Sequence, residues 1–107
     1  MQIDKRELEK PIVKKPDGTF ATLKEILKKP VRTVATLTPE DHKDLAIARF
    51  EKMDPQKAFF IVGKGSFTKD QVLMEIKRGT EAGQSFVKMQ SKFIRYLLSI
   101  KERINVK

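Results

Sequence analysis

Cysteine and tryptophan are absent from this 107-residue chain, histidine and tyrosine occur once each, and no apolar run is long. Without cysteine there is no disulfide framework, no thiolate nucleophile and no thiol-bound metal. The composition suits a reducing compartment, and the expected location is cytoplasmic. His42 as the sole imidazole rules out histidine metal clusters and paired imidazoles, and with them triad chemistry. The longest apolar run, Ala58 to Val62, falls far short of the roughly 20 residues a membrane-spanning helix needs, so no transmembrane segment is expected. The opening MQIDKRELEK lacks an apolar core, so no secretory signal is expected either.

Catalytic fingerprints are equally scarce. There is no Gly-x-Ser-x-Gly, no Rossmann glycine pattern and no zinc spacing. Asp41, His42 and Asp44 are neighbours, and Glu40 with Asp44 shares a helix face that can hold Mg²⁺ weakly. Acids in the first turns of a helix are explained by the helix dipole alone. The reading is therefore a non-enzymatic protein, with no cofactor and no metal.

Positive charge is what the chain has in excess: 23 Lys and Arg against 14 Asp and Glu, a net +9. The excess is uneven. Residues 1–30 carry net +3, residues 31–55 net −1 and residues 56–107 net +7. An electropositive C-terminal half favours nucleic acid or another polyanion as partner. With 39% hydrophobic residues beside 35% charged ones, the chain has enough apolar content for one core and length for one domain, residues 1–107.

Local patterns predict an α+β, mostly helical fold. Short strands are expected at about 12–21, 31–37 and 58–62, packed with four helices. Pro16-Asp17-Gly18 marks a hairpin turn joining Ile12–Lys14 to Thr19–Ala21: proline presets its φ, aspartate bonds forward and glycine tolerates positive φ. Thr22 and Glu25 form a capping box for a short helix that Pro30 stops. The β-branched run Val31–Leu37 reads as a strand. Thr38-Pro39-Glu40-Asp41 opens a helix to about Met53, with apolar residues around much of its circumference. A parallel crossover between the strands at 31–37 and 58–62, or antiparallel pairing with the N-terminal hairpin, would complete the sheet. Thr68 and Gln71 cap a third helix, stapled by Phe67 and Val72 and closed by Gly79. The last and longest helix, about 80–104, carries Phe86, Met89, Phe93, Tyr96 and Ile100 at three- and four-residue spacing.

Four features bear on function. Gly63-Lys64-Gly65-Ser66 between a strand and a helix has the layout of a phosphate loop, but the nucleotide P-loop spacing is missing and Thr68 with Gln71 already satisfies the helix-end amides. It reads as a turn that leaves Lys64 and Lys69 to touch a phosphate backbone. The two helices about Gly79-Thr80 have the order of a helix-turn-helix, yet the second is too long and opens with Glu81 and Gly83. A plain helical hairpin with Gly83 easing close packing fits better. Lys88, Lys92 and Arg95 fall at i, i+4 and i+7 on one face, and with Lys77, Arg78, Lys101, Arg103 and Lys107 they are expected to make a basic ridge. Finally, the Phe86-to-Ile100 series follows a and d heptad spacing, which suits a homodimer or a helix docked on an acidic protein.

The expectation is a small binding module whose phosphate contacts are Lys64, Lys69, Lys77, Arg78, Lys88, Lys92 and Arg95. The alternative is a protein-interaction or dimerisation module using the last helix. Tyr96 is weighed as a base-stacking ring, with core packing the stronger reading at its spacing.

Overall fold

The computed structural model describes residues 4–29, 31–34 and 36–104. Its architecture is α+β and mostly helical, with two small antiparallel hairpins and the longest helix last. The order is α1 (Lys5–Leu8), β1 (Pro11–Lys14), β2 (Phe20–Thr22), α2 (Leu23–Lys28), α3 (Pro39–Glu51), β3 (Phe59–Ile61), β4 (Gly65–Phe67), α4 (Lys69–Arg78) and α5 (Glu81–Ile100). A 3-10 turn, Lys101–Arg103, extends α5.

The helix starts follow from their caps. Thr22, Thr38 and Thr68 each accept a hydrogen bond from the backbone amide three residues on, and Glu25, Asp41 and Gln71 reciprocate. Each box satisfies two amides that have no partner within the helix, and losing its hydroxyl costs about 1 kcal/mol. The first hairpin closes as the sequence predicts: the Gly18 amide donates to the Lys15 carbonyl at 3.0 Å, and Asp17 accepts from the Thr19 amide at 2.9 Å.

Three expectations are corrected. Val31–Val34 and Thr36–Leu37 form no strand; Ala35 and Pro30 lie outside the described residues. Val34 donates once, to the Lys14 carbonyl at 3.0 Å, where a strand needs a ladder. Strand propensity measures fit to a half-buried pleated surface, and here Arg32, Thr33 and Thr36 face solvent. Among the described residues neither the parallel crossover nor the pairing with the N-terminal hairpin forms, because β3 pairs with β4, its immediate successor, in the register Phe59↔Phe67, Phe60↔Ser66 and Ile61↔Gly65. The third concerns the N-terminus, where α1 adds a fifth helix, capped by Asp4.

Two apolar clusters make the core. Leu8, Ile12, Leu23 and Leu45 pack with Ile94, Leu97 and Ile100. Phe50, Val72, Ile76 and Phe86 form the other, with partly buried Phe59 and Phe67 against it. Phe86 sits edge-on to Phe50 and Phe67, at centroid distances of 5.7 and 5.3 Å. Burying each such ring stabilises by about 1.5–3 kcal/mol. Helices α3 and α5 contribute to both clusters, so α5 spans the core along its length. Among the described residues no helix is long and apolar enough to cross a membrane.

The α4–α5 hairpin rests on two glycines with different duties. Gly79 adopts φ 69° and ends α4, its amide and that of Thr80 returning to the Ile76 and Glu75 carbonyls. Gly83 is needed for contact: a Cβ there would stand 2.1 Å from the Glu75 carbonyl oxygen. The two backbones touch at that point, as the helical-hairpin reading requires.

Candidate functional site

The glycine motif at 63–66 is the bend of the β3–β4 hairpin. The Lys64 amide donates to the Ile61 carbonyl at 3.0 Å, and Gly63 takes φ 84° at the third position of this turn, which side chains rarely tolerate. Strand β4, Gly65–Phe67, takes in the second glycine and separates the turn from the helix, so the loop does not deliver its amides to the α4 N-terminus. Lys64 instead pairs with Glu81 at 3.4 Å. Lys69 is also engaged: its Nζ donates to the Glu51 carbonyl at 2.7 Å, satisfying an acceptor left over at the C-terminal end of α3.

The remaining five expected contacts are all exposed. Lys77 and Arg78 occupy the last turn of α4, where cations complement the helix dipole. Lys88, Lys92 and Arg95 stand on the outer face of α5, opposite the buried Phe86, Ile94 and Leu97. Among the described residues none of these five makes an ion pair, whereas Arg6, Lys10, Lys14, Lys15, Lys24 and Arg49 all do. Folding therefore sorts the cations. Six of the twelve cations in residues 1–53 are tied to acids, and the α5 ridge is left to solvent.

The ridge has two flanks. On one, Lys88 and Arg95 line a groove of about 720 Å³ between α5 and the start of α3, with Ile76 and Val87 on its wall and Lys43, His42 and Glu40 across it. His42 Nδ1 and Ser91 Oγ are 3.0 Å apart and hydrogen-bonded, which joins the two helices at the groove. On the other flank lie Met89, Phe93 and Tyr96, 39–49% exposed. The sequence reading assigned these three to a core or dimer stripe; the structure buries only its ends, Phe86 and Ile100.

In the first turn of α5, Glu81 and Gln84 are exposed and the two residues between them are covered. Ala82 and Gly83 are buried against α4, and Thr80 caps the helix through the Gly83 amide at 3.1 Å.

Beside Phe93 opens a second cleft of about 710 Å³, and its floor holds a group the sequence reading missed. Arg49 is fully buried, yet three of its nitrogens are satisfied: Nη2 by the Glu7 carboxylate, Nη1 by the Pro11 carbonyl at 3.1 Å and Nε by Gln90 Oε1 at 2.8 Å. Lys10 holds the other Glu7 oxygen at 2.8 Å, and the guanidinium lies 5.8 Å from the Phe93 ring centre. The available signal was position: Arg49 sits between Leu45, Ala46 and Phe50 on the apolar side of α3. With its donors occupied this cluster ties α1, β1, α3 and α5 together and offers no free cation to a ligand.

Asp41 is the group whose acidity changes most among those resolved. The Lys14 ammonium, bonded to it at 2.7 Å, and the Thr38 amide hold its carboxyl at about 2, below the ordinary 3.8. Its role is to pin β1 to the start of α3. Among the described residues no group of three or more His, Asp or Glu side chains gathers as a metal site. No protein-family model, curated protein or solved structure gives a significant match to the chain.

Proposed function

We propose that the protein is a non-enzymatic module that binds nucleic acid through its phosphate backbone, using the Lys88–Lys92–Arg95 ridge of α5. The observation that carries this reading is the sorting of charge: in a chain of net +9, three solvent-facing cations line one helix face with no acid paired to them among the described residues. Lysines and arginines so placed neutralise phosphates and release counterions, which gives affinity that falls steeply with salt and carries little base preference. Lys43, across the groove from Lys88 and Arg95, extends the positive surface. Lys77 and Arg78 contribute long-range attraction. Lys64 and Lys69, already engaged, are expected to matter least.

A mobility-shift titration of the full chain on mixed-sequence DNA and RNA tests this. Binding at low salt that drops by orders of magnitude towards physiological salt is expected, as is weakening by K88E/K92E/R95E. Absence of binding to either polymer at low salt would overturn the proposal.

One observation favours a second reading. The half-exposed Met89, Phe93 and Tyr96 are the kind of surface a protein partner covers, so docking of an acidic protein on α5 is the alternative. A homodimer through the same strip brings two unpaired cationic ridges together, which like-charge repulsion opposes.

A further inference from the structure

Phosphate binding alone leaves the apolar flank of the ridge without a role. Met89, Phe93 and Tyr96 are 48%, 39% and 49% exposed, although the chain has apolar side chains fully buried on the same helix. Each residue of a helix turns about 100°, so Tyr96, one turn beyond Lys92, lies only about 40° round from it. Rings and cations therefore share one continuous surface. Phe93 and Tyr96 stack with their rings 23° from parallel and centroids 6.3 Å apart. The Arg49 guanidinium braces Phe93 from within, which fixes the pair on the rigid part of the molecule. On α5 itself Glu81 lies at the helix start and is paired with Lys64; Asp4 and Asp54 line the cleft beside Phe93, Asp54 paired with Arg6, and Glu40 lies across the groove from Lys88 and Arg95.

A duplex would use this surface poorly. An α-helix in its major groove reaches base edges and phosphates, but the base faces stay stacked on one another and give the rings nothing to stack on. A single strand offers both of the things the surface matches: phosphates for the cations and open base faces for the rings. Charge decides against a second copy of this chain as occupant, since the strip borders the ridge and both copies would carry it. We infer that α5 binds single-stranded nucleic acid, with phosphates on Lys88, Lys92 and Arg95 and a base stacked on Tyr96, which Phe93 backs. The inference rests on the phosphate-binding reading above and narrows its ligand class.

The chain provides its own probe, because Tyr96 is the only tyrosine and there is no tryptophan. The full chain is titrated at low salt with an oligothymidylate of about 16 nucleotides and with a duplex of the same length, following anisotropy of the labelled DNA and tyrosine emission. The single strand is expected to bind more tightly and to quench the emission. Tyr96→Ala should weaken the single strand about tenfold and the duplex much less. Tyr96→Leu, which keeps apolar bulk but has no ring, should weaken it similarly, and Tyr96→Phe should preserve it.

Equal affinity for the two DNAs without quenching overturns the single-strand assignment and leaves the phosphate reading standing. Failure to bind either DNA overturns the inference, and the phosphate reading falls with it when RNA of the same length is not bound either. A concentration-dependent dimer in light scattering that Tyr96→Ala abolishes assigns the strip to self-association and likewise overturns the inference.

Discussion

Arg49 on α3 and Arg95 on α5 are the same side chain in opposite circumstances. Arg49 has no solvent exposure and is held by Glu7, Gln90 and the Pro11 carbonyl; Arg95 is exposed, with no ion pair among the described residues. A buried guanidinium persists only if its hydrogen bonds are made, so its partners define it as part of the scaffold. An exposed one leaves its donors to water and can exchange water for a phosphate oxygen at little cost. The comparison shows why a net charge of +9 overstates what is available to a ligand. Much of the positive charge in the N-terminal half, and Lys64 and Lys69 in the C-terminal half, is spent on the fold itself.

Breaking the buried side of the comparison should have the largest effect. Arg49→Ala leaves Glu7 buried with only Lys10 against it and frees Gln90 Oε1, and should destabilise by about 3 kcal/mol. In a thermal melt that is a Tm lower by roughly 10–20 °C. The paired replacement E7L/R49M should recover only part of the loss: an ion pair exchanged for apolar groups of similar size is commonly close to neutral, but Lys10 loses its Glu7 partner. If the single and double variants melt alike, the charge pair is not what the site requires. Gly83→Ala comes next. Its Cβ must displace the Glu75 carbonyl, and a separation of α4 from α5 should cost about 1–3 kcal/mol by denaturant titration.

Acid offers a milder test. Asp41 titrates at about 2 when folded, below its ordinary 3.8, so its contribution is complete above 3.8 and is lost as pH falls towards 2. Asp41→Asn should flatten the pH dependence of stability in that interval, and an unchanged acid profile would remove Asp41 from the account. The smallest effect on stability belongs to the ridge: K88E/K92E/R95E should melt within about 0.5 kcal/mol of the parent per site while losing affinity for nucleic acid. A large loss of stability there would mean that the ridge, like Arg49, has structural work.

Most local structure was legible in the sequence because it rests on short-range chemistry. Caps at Thr22, Thr38 and Thr68, the turn at Asp17-Gly18 and the stop at Gly79 need only their near neighbours. What the sequence hid depends on contacts distant in the chain. The run 31–37 looks like a strand, but nothing told it that no sheet edge would accept a ladder. Strand β4 is three residues, Gly65-Ser66-Phe67, with little strand propensity, and pairs because the turn at Gly63 folds it back on β3.

For the candidate site the lesson is similar. Helical spacing placed Lys88, Lys92 and Arg95 on one face. Their freedom from ion pairs, the engagement of Lys64 and Lys69, and the exposure of Met89, Phe93 and Tyr96 are tertiary facts. Periodicity marks Phe93 and Tyr96 as apolar-face residues, and only the packing of α5 shows that they stay 39% and 49% exposed.

The most direct test of the charge-sorting account is the salt dependence of nucleic-acid affinity for the parent chain, for K64Q/K69Q and for K88Q/K92Q/R95Q. Each phosphate contact adds about 0.7–0.9 to the slope of log affinity against log salt. The account predicts that the ridge variant loses roughly two units of slope while K64Q/K69Q stays near the parent. Equal slopes in all three proteins, or a greater loss in K64Q/K69Q, would contradict it.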